Sequence, residues 1–220
     1  ASHNPFHDNG IKVFGPGGAK LDPDTESAIE ALLNRTASTE SASETPEGPD
    51  EAVVSAYVRH LNSIIDGRSL AGPRVVVDAA NGAASRLAGD ALRALGVDLE
   101  VIADQPDGRN INSGCGATHP GMLADTVRQR GADLGFALDG DADRVMAVDA
   151  TGRILDGDHI MAMLALDLRA RGALSGETLV VTVMSNLGLR QAMEAEGIAI
   201  IETPVGDRHV AEALRVGGHS

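Results

Sequence analysis

The chain has 220 residues, which is enough for one large domain or two domains of ordinary size. Apolar residues make up 43% of it but aromatic residues only 2%, so we expect a core built from Ala, Val, Leu and Ile. The net charge of −14 disfavours a nucleic-acid partner, because proteins that bind nucleic acids present positive charge to the phosphate backbone.

The first fifty residues predict turns, one helix and a linker. Residues 1–23 are rich in Gly, Asn and Pro, which are turn formers. Asp24 or Thr25 is predicted to cap a helix over residues 26–35, whose apolar residues recur at helical spacing. Residues 36–50 are rich in Ser, Thr, Glu and Pro and nearly devoid of apolar residues, which predicts a surface linker or an exposed edge.

Strands and helices alternate in the rest of the chain. The predicted helices cover residues 51–66, 85–95, 120–130, 159–171, 187–196 and 207–215. The predicted strands cover residues 75–77, 97–102, 134–138, 145–148, 178–183 and 198–202. This alternation predicts an α/β protein with repeated three-layer α/β/α domains and mostly parallel mixed sheets. We expect the C-terminal part of a first domain over residues 1–50, a second domain over 51–153 and the N-terminal part of a third domain over 154–220.

Three aspartates occupy alternate positions between two of these apolar strands. Asp139, Asp141 and Asp143 are hard oxygen ligands, which suit Mg²⁺, Mn²⁺ or Ca²⁺. A calcium-binding EF-hand loop would need Gly at its sixth position and Glu at its twelfth, where this chain has Arg144 and Ala150. A solvated acidic turn is the other reading. Arg144 favours an anion beside the metal, because a cation and a guanidinium together suit a phosphate.

The first residues of the chain form a second candidate site. Asn4-Pro5 favours a turn, in which the hydroxyl of Ser2 would be exposed. An ordinary polar turn is one interpretation. A Ser-His-Asp hydrolase is disfavoured, because His3 adjoins Ser2 and the sequence has no Gly-x-Ser-x-Gly turn. A serine that carries a phosphoryl group is the third interpretation, and it needs a metal nearby.

Both candidate segments resemble those of one enzyme superfamily. Residues 1–12 (ASHNPFHDNGIK) resemble the phosphoserine loop of the α-D-phosphohexomutases, and the aspartate loop resembles their magnesium loop, although Ala142 stands where Gly is frequent. Three further stretches resemble the phosphoglucosamine mutase branch: residues 112–120 (NSGCGATHP), 184–189 (MSNLGL) and 203–208 (TPVGDR). The superfamily's sugar-selecting Gly-Glu-x-Ser-Gly-His loop is not present, so we expect an internal fragment that is inactive alone.

The resemblance implies roles for individual residues. Ser2 would be the phosphorylated residue, and its phosphate would bind one Mg²⁺ together with the three aspartates. His3 and Lys12 match positions that contact the phosphoryl group or assist proton transfer, and Arg144 would steady the phosphoserine. Gly206, Asp207 and Arg208 match a loop near the sugar.

The resemblance also implies an activity. The enzyme would interconvert glucosamine 6-phosphate and glucosamine 1-phosphate through a bisphosphorylated sugar, in the synthesis of amino-sugar nucleotides and peptidoglycan precursors. A phosphomannomutase or phosphoglucomutase is the alternative, as is an inactive fragment that binds Mg²⁺ and a phosphosugar. The single Cys115 excludes an internal disulfide and fits a reducing compartment. No apolar run approaches the length of a membrane-spanning helix, so we expect no membrane contact. The resemblance implies a cytoplasmic enzyme whose partner is a phosphosugar.

Overall fold

The fold is taken from a computed structural model, which describes residues 4–8, 10, 13–18, 20–35, 50–65 and 69–219. The chain divides into two units. The smaller unit is Gly10–Ser55, and the larger unit combines Ala1–Asn9 with Ala56–Ser220. Among the described helices, none is long and apolar enough to cross a membrane.

Helix α1 (Pro23–Arg35) of the smaller unit begins earlier than predicted. Its cap is Asp22, whose Oδ1 accepts hydrogen bonds from the backbone N–H groups of Asp24 (3.1 Å) and Thr25 (2.9 Å). The prediction that Asp24 or Thr25 caps this helix is therefore wrong. Pro23 explains the shift, because proline has no N–H to satisfy and its fixed φ suits the first helical position.

The predicted linker lies almost wholly outside the described residues. Asp50, at its end, is described, and its Oδ1 accepts a hydrogen bond from the backbone N–H of Ala52 (2.8 Å). This contact caps helix α2, Glu51–Ser63, which begins in the smaller unit.

The larger unit contains the remaining predicted strands and helices, each within a few residues of its predicted ends. Its strands are β1 (Arg74–Asp78), β2 (Asp98–Ile102), β3 (Leu134–Leu138), β4 (Val145–Asp149), β5 (Ile154–Leu155), β6 (Thr178–Thr182) and β7 (Ala199–Thr203). Its helices after α2 are α3 (Ala84–Arg93), α4 (Gly121–Arg130), α5 (Gly157–Ala170), α6 (Leu187–Ala195) and α7 (Asp207–Gly217). The sequence also predicts a hairpin through residues 149–152, and the antiparallel pairing of β5 with β4 confirms it.

The first sheet has the strand order β2-β1-β3-β4-β5. Strand β1 runs parallel to β2 and β3, whereas β4 runs antiparallel to β3 and β5. The change of direction follows from the aspartate loop, which is far too short for the crossover that a parallel pair needs. Leu138 at the end of β3 pairs with Val145 at the start of β4, so the loop closes a hairpin at the sheet edge.

Helices cover both faces of this sheet. On one face, Leu123 and Val127 of α4 pack against Val76 of β1 and Val148 of β4, and all four are buried. On the other face, Leu92 of α3 packs against residues of β1 and β2. The described core is mainly Val, Ala and Leu, as the composition predicts.

A second, parallel pair of strands, β6 and β7, belongs to the following α/β segment. Its core combines residues of α5, β6 and α6 with the segments between them: Ala165, Leu174, Val181, Leu189, Met193 and Ile198. Two of its helices have side-chain caps at their N-termini. The side chain of Asp156 accepts a hydrogen bond from the backbone N–H of His159 in α5, and that of Asn186 accepts one from the backbone N–H of Leu189 in α6. Since β6 and β7 are parallel, the loops that follow them lie at one edge of this sheet.

Candidate metal centre

The aspartate loop brings three carboxylates together where β3 ends. One carboxylate oxygen from each of Asp139, Asp141 and Asp143 lies within 4.8 Å of the other two. Asp139 directly follows the buried strand and is itself only 1% exposed, whereas Asp143 is exposed. Like charges this close repel each other, so the arrangement favours a bound cation.

The spacing of these carboxylates fits a divalent metal. Two oxygens bound to one Mg²⁺ are at most about 4.2 Å apart, because each lies about 2.1 Å from the ion. Neighbouring oxygens around an octahedral ion are only about 3.0 Å apart, so the three carboxylate oxygens, which lie within 4.8 Å of one another, would draw closer together on binding. Asp139, Asp141 and Asp143 could therefore hold Mg²⁺ or Mn²⁺ and leave further positions for other oxygen ligands.

Arg144 lies against the same carboxylates. Its backbone N–H donates to Oδ1 of Asp139 (3.0 Å), and its Nε lies 3.0 Å from Oδ2 of Asp139 and 3.5 Å from Oδ1 of Asp143. The side chain of Arg144 is 51% exposed, so part of the guanidinium also faces solvent. The arrangement offsets part of the negative charge and holds Asp139 in place from two directions.

Ala142 has a backbone conformation that is unusual for its residue type. Its φ is +61°, in the left-handed region that glycine adopts readily and alanine does not. Its N–H donates to the backbone oxygen of Asp139 (3.0 Å), so the strained conformation closes the turn. This geometry explains why glycine is frequent at this place in the loop that the sequence resembles.

The turn after β1 supports the aspartate loop from behind. The backbone N–H of Ala83 donates to the carbonyl oxygen of Gly140 (2.8 Å), which lies between two of the aspartates. A Cβ atom on Gly82 would lie 2.2 Å from that oxygen. Only glycine at position 82 allows the two loops to approach this closely.

Asp78 is a buried acid that the sequence reasoning did not single out. Its carboxylate, fully buried at the end of β1, accepts hydrogen bonds from the backbone N–H groups of Ala80 (2.9 Å) and Gly116 (2.8 Å). Burial raises the pKa of Asp78, while these two hydrogen bonds act in the opposite direction. The available signal was an acid directly after a run of valines at the end of a strand.

A cavity of about 480 Å³ adjoins the aspartate loop. Asp139 and Arg144 line it on the polar side, while Met146 of β4 and two residues of α5, Ile160 and Met161, form an apolar wall. A space of this volume beside the carboxylates is of small-ligand size.

The predicted site residues are not all described. Ser2, His3 and Lys12 lie outside the described residues. Asn4, two residues after Ser2, is described, and its carbonyl oxygen accepts a hydrogen bond from Nδ2 of Asn112 (3.1 Å). Residues 206–208 lie after β7 on the second sheet, where α7 begins, whereas the aspartates lie after β3 on the first sheet.

The geometry defines a class of protein: an α/β protein with three carboxylates at the carboxyl end of a strand that could hold a divalent metal. Sequence profiles of three domains described as phosphoglucomutase/phosphomannomutase alpha/beta/alpha domains I, II and III match residues 1–40, 55–152 and 156–220. The chain belongs to this phosphoglucomutase/phosphomannomutase family.

Individual relatives show how much of such a protein the chain represents. It is 50% identical over 228 residues to the phosphoglucosamine mutase of Symbiobacterium thermophilum, covering 100% of this chain and 49% of the relative. It is 51% identical over 221 residues to that of Thermobifida fusca, with coverage of 100% and 49%. A solved family structure from Burkholderia thailandensis has a TM-score of 0.73 at 27% identity, covering 92% of this chain and 43% of that one. The chain therefore spans about half the length of the curated relatives it matches.

Proposed function

We propose that the whole protein is a phosphoglucosamine mutase, which interconverts glucosamine 6-phosphate and glucosamine 1-phosphate through a bisphosphorylated sugar. The observation that carries the proposal is the cluster of Asp139, Asp141 and Asp143 beside Arg144. Phosphoryl transfer depends on positioning and on neutralisation of charge, and this cluster offers both. The names of the relatives at 50% and 51% identity support glucosamine as the sugar.

In this proposal Ser2 carries the phosphoryl group. Its hydroxyl oxygen forms the bond to phosphorus when the sugar returns a phosphate, and that bond breaks when a sugar hydroxyl attacks the phosphorus. Asp139, Asp141 and Asp143 would hold Mg²⁺, and the ion would neutralise charge on the transferring phosphate. Arg144 adds a second positive group at the phosphate.

The sugar hydroxyl must lose a proton as it attacks. We assign that proton transfer, and contact with the phosphoryl group, to His3 and Lys12. Gly206, Asp207 and Arg208 are assigned to sugar contact, because they follow a parallel strand at its carboxyl end, where ligands bind in α/β sheets.

Three broader assignments belong to the same proposal. The domain boundaries lie near residues 51 and 154. The enzyme acts in the cytoplasm on phosphosugars, and its product is used in the synthesis of peptidoglycan precursors. It is a mutase for glucosamine phosphates rather than for mannose or glucose phosphates.

An assay of the whole protein tests this function. With Mg²⁺ present, glucosamine 6-phosphate should be converted at a higher kcat/KM than mannose 6-phosphate or glucose 6-phosphate. The variant Ser2→Ala should lose nearly all conversion, whereas the matched change Ser55→Ala, at an exposed position of α2, should retain it. A higher kcat/KM for another sugar phosphate would show that the assigned substrate is wrong. Binding of Mg²⁺ and phosphosugar without conversion would favour a binding protein over a mutase.

A further inference from the structure

One loop contacts both Asn4, two residues after Ser2, and Leu138, the residue before Asp139. Residues 112–117 follow β2 and precede α4, and we call them the bracket loop. At one end, Nδ2 of Asn112 donates to the carbonyl oxygen of Asn4 (3.1 Å). At the other end, the backbone N–H of Ala117 donates to the carbonyl oxygen of Leu138 (2.8 Å), the residue before Asp139.

The bracket loop is itself fixed to the end of β1. The backbone N–H of Asn112 donates to the carbonyl oxygen of Ala80 (2.9 Å), and that of Gly116 donates to the buried carboxylate of Asp78 (2.8 Å). A Cβ atom on Gly116 would lie 2.6 Å from the carbonyl oxygen of Leu138. The loop is thus hydrogen-bonded at the ends of both β1 and β3, which restricts its movement.

Asn112 suits a fixed donor for two reasons. It is 7% exposed, so water competes little for its amide. Its φ is +56°, a left-handed conformation that asparagine adopts more readily than most residues other than glycine. The contact joins positions 108 residues apart within one unit of the structure.

We infer that Asn112 is a positioning residue, which through its hydrogen bond to Asn4 holds the chain two residues after Ser2 and thereby sets how Ser2 approaches the candidate metal ligands. The effect of Asn112 on catalysis rests on the proposed phosphoryl-transfer function, whereas the hydrogen bond to Asn4 does not depend on that function. Transfer needs an in-line approach of the reacting oxygen to phosphorus, so a shift of the Ser2 segment lowers the rate of transfer. The aspartate loop keeps its own anchors, so metal binding by the three aspartates of the unphosphorylated protein is not affected.

The experiment compares two aspartate substitutions in the whole protein. Asn112→Asp keeps the shape and the tolerance of positive φ but replaces the donor by a carboxylate oxygen, which repels the Asn4 carbonyl. Asn110→Asp is the matched control, because it removes a similar donor, from Asn110 Nδ2 to the carbonyl oxygen of Gln105 (2.9 Å), close by in the chain. Asn112→Gly removes the side chain and keeps the backbone conformation, in case the aspartate variant does not fold.

Two readouts separate this inference from the proposed function. Deuterium uptake of the peptide containing residues 4–8 should rise in Asn112→Asp and Asn112→Gly but not in Asn110→Asp. The kcat for phosphosugar conversion should fall by about tenfold or more in the Asn112 variants, with KM unchanged. The Mn²⁺ affinity of the unphosphorylated protein should also be unchanged.

Each outcome has one meaning. Unchanged deuterium uptake in both Asn112 variants overturns the contact. Faster uptake with unchanged kcat overturns the positioning role. If the unmodified protein converts no phosphosugar, the proposed function fails, and the uptake comparison still decides whether Asn112 holds the segment.

Discussion

A single methyl group added at Gly82, which is not itself a candidate metal ligand, should disturb the candidate metal centre. In Gly82→Ala the new Cβ would lie 2.2 Å from the carbonyl oxygen of Gly140 and 2.8 Å from its carbonyl carbon. Non-bonded carbon and oxygen atoms settle about 3.5 Å apart, so the aspartate loop or the turn must move by about 1 Å. Overpacking of this kind costs about 1–3 kcal/mol of folding free energy.

The displacement acts directly on the metal ligands, because Gly140 lies between Asp139 and Asp141. It also strains the hydrogen bond from Ala83 N–H to the Gly140 oxygen. Mg²⁺ tolerates little departure from octahedral geometry at about 2.1 Å, so we expect the affinity for Mg²⁺ to fall by about tenfold or more.

The assay pairs thermal unfolding with a Mn²⁺ or Mg²⁺ titration. Gly121→Ala is the matched control, because a Cβ at this position in the first turn of α4 meets no atom within 4 Å. It should leave metal affinity unchanged. The reasoning is refuted if Gly82→Ala binds metal as tightly as Gly121→Ala and unfolds at the same temperature.

Three further predictions concern the same loops and the first turn of α5. Asp139→Asn should lower Mn²⁺ affinity by about tenfold or more, because it removes the charge of a candidate ligand. The control Asp125→Asn, on the surface of α4, should leave this affinity unchanged, and equal Mn²⁺ affinities of the two variants would argue against the metal site. Ala142→Gly should raise the free energy of unfolding by roughly 1 kcal/mol, because the φ of +61° no longer strains a side chain, and a loss of stability in chemical denaturation would contradict this. Asp156→Ala should cost about 1 kcal/mol at neutral pH by removing the cap of α5. Hydrogen bonds from the side chain and backbone of His159 lower the pKa of Asp156. The stabilisation is therefore present above the ordinary pKa of 3.8 and is lost as the pH falls through the lowered pKa. A loss of unfolding free energy in Asp156→Ala that does not change with pH would contradict this.

The sequence predicted the elements of the larger unit well because its periodic signals are strong. Apolar runs such as residues 75–77 end at polar turns, and glycine or proline marks most helix ends. The start of α1 was mispredicted because Pro23 moved the cap to Asp22, and local cap preference alone could not separate three neighbouring polar residues. Strand β5 is too short to show a period.

Part of the candidate site could also be predicted. The three aspartates share one short loop, so their spacing alone places the carboxylates close together. The support behind them could not be predicted, because the contacts of Asp78 with Gly116 and of Gly82 with Gly140 join segments far apart in sequence. The contact from Asn112 to Asn4 spans a still greater separation, and only the fold reveals it.

The central claim is that Ser2 carries a phosphoryl group that moves to and from a phosphosugar. Intact-mass measurement of the whole protein, followed by peptide mapping, tests it most directly. The account predicts that an ¹⁸O-labelled phosphate on Ser2 moves into the phosphosugar on addition of glucosamine 6-phosphate with Mg²⁺, while unlabelled phosphate from the sugar takes its place on Ser2. Label that stays on Ser2 under these conditions, or conversion of the sugar by Ser2→Ala at the full rate, would contradict the account.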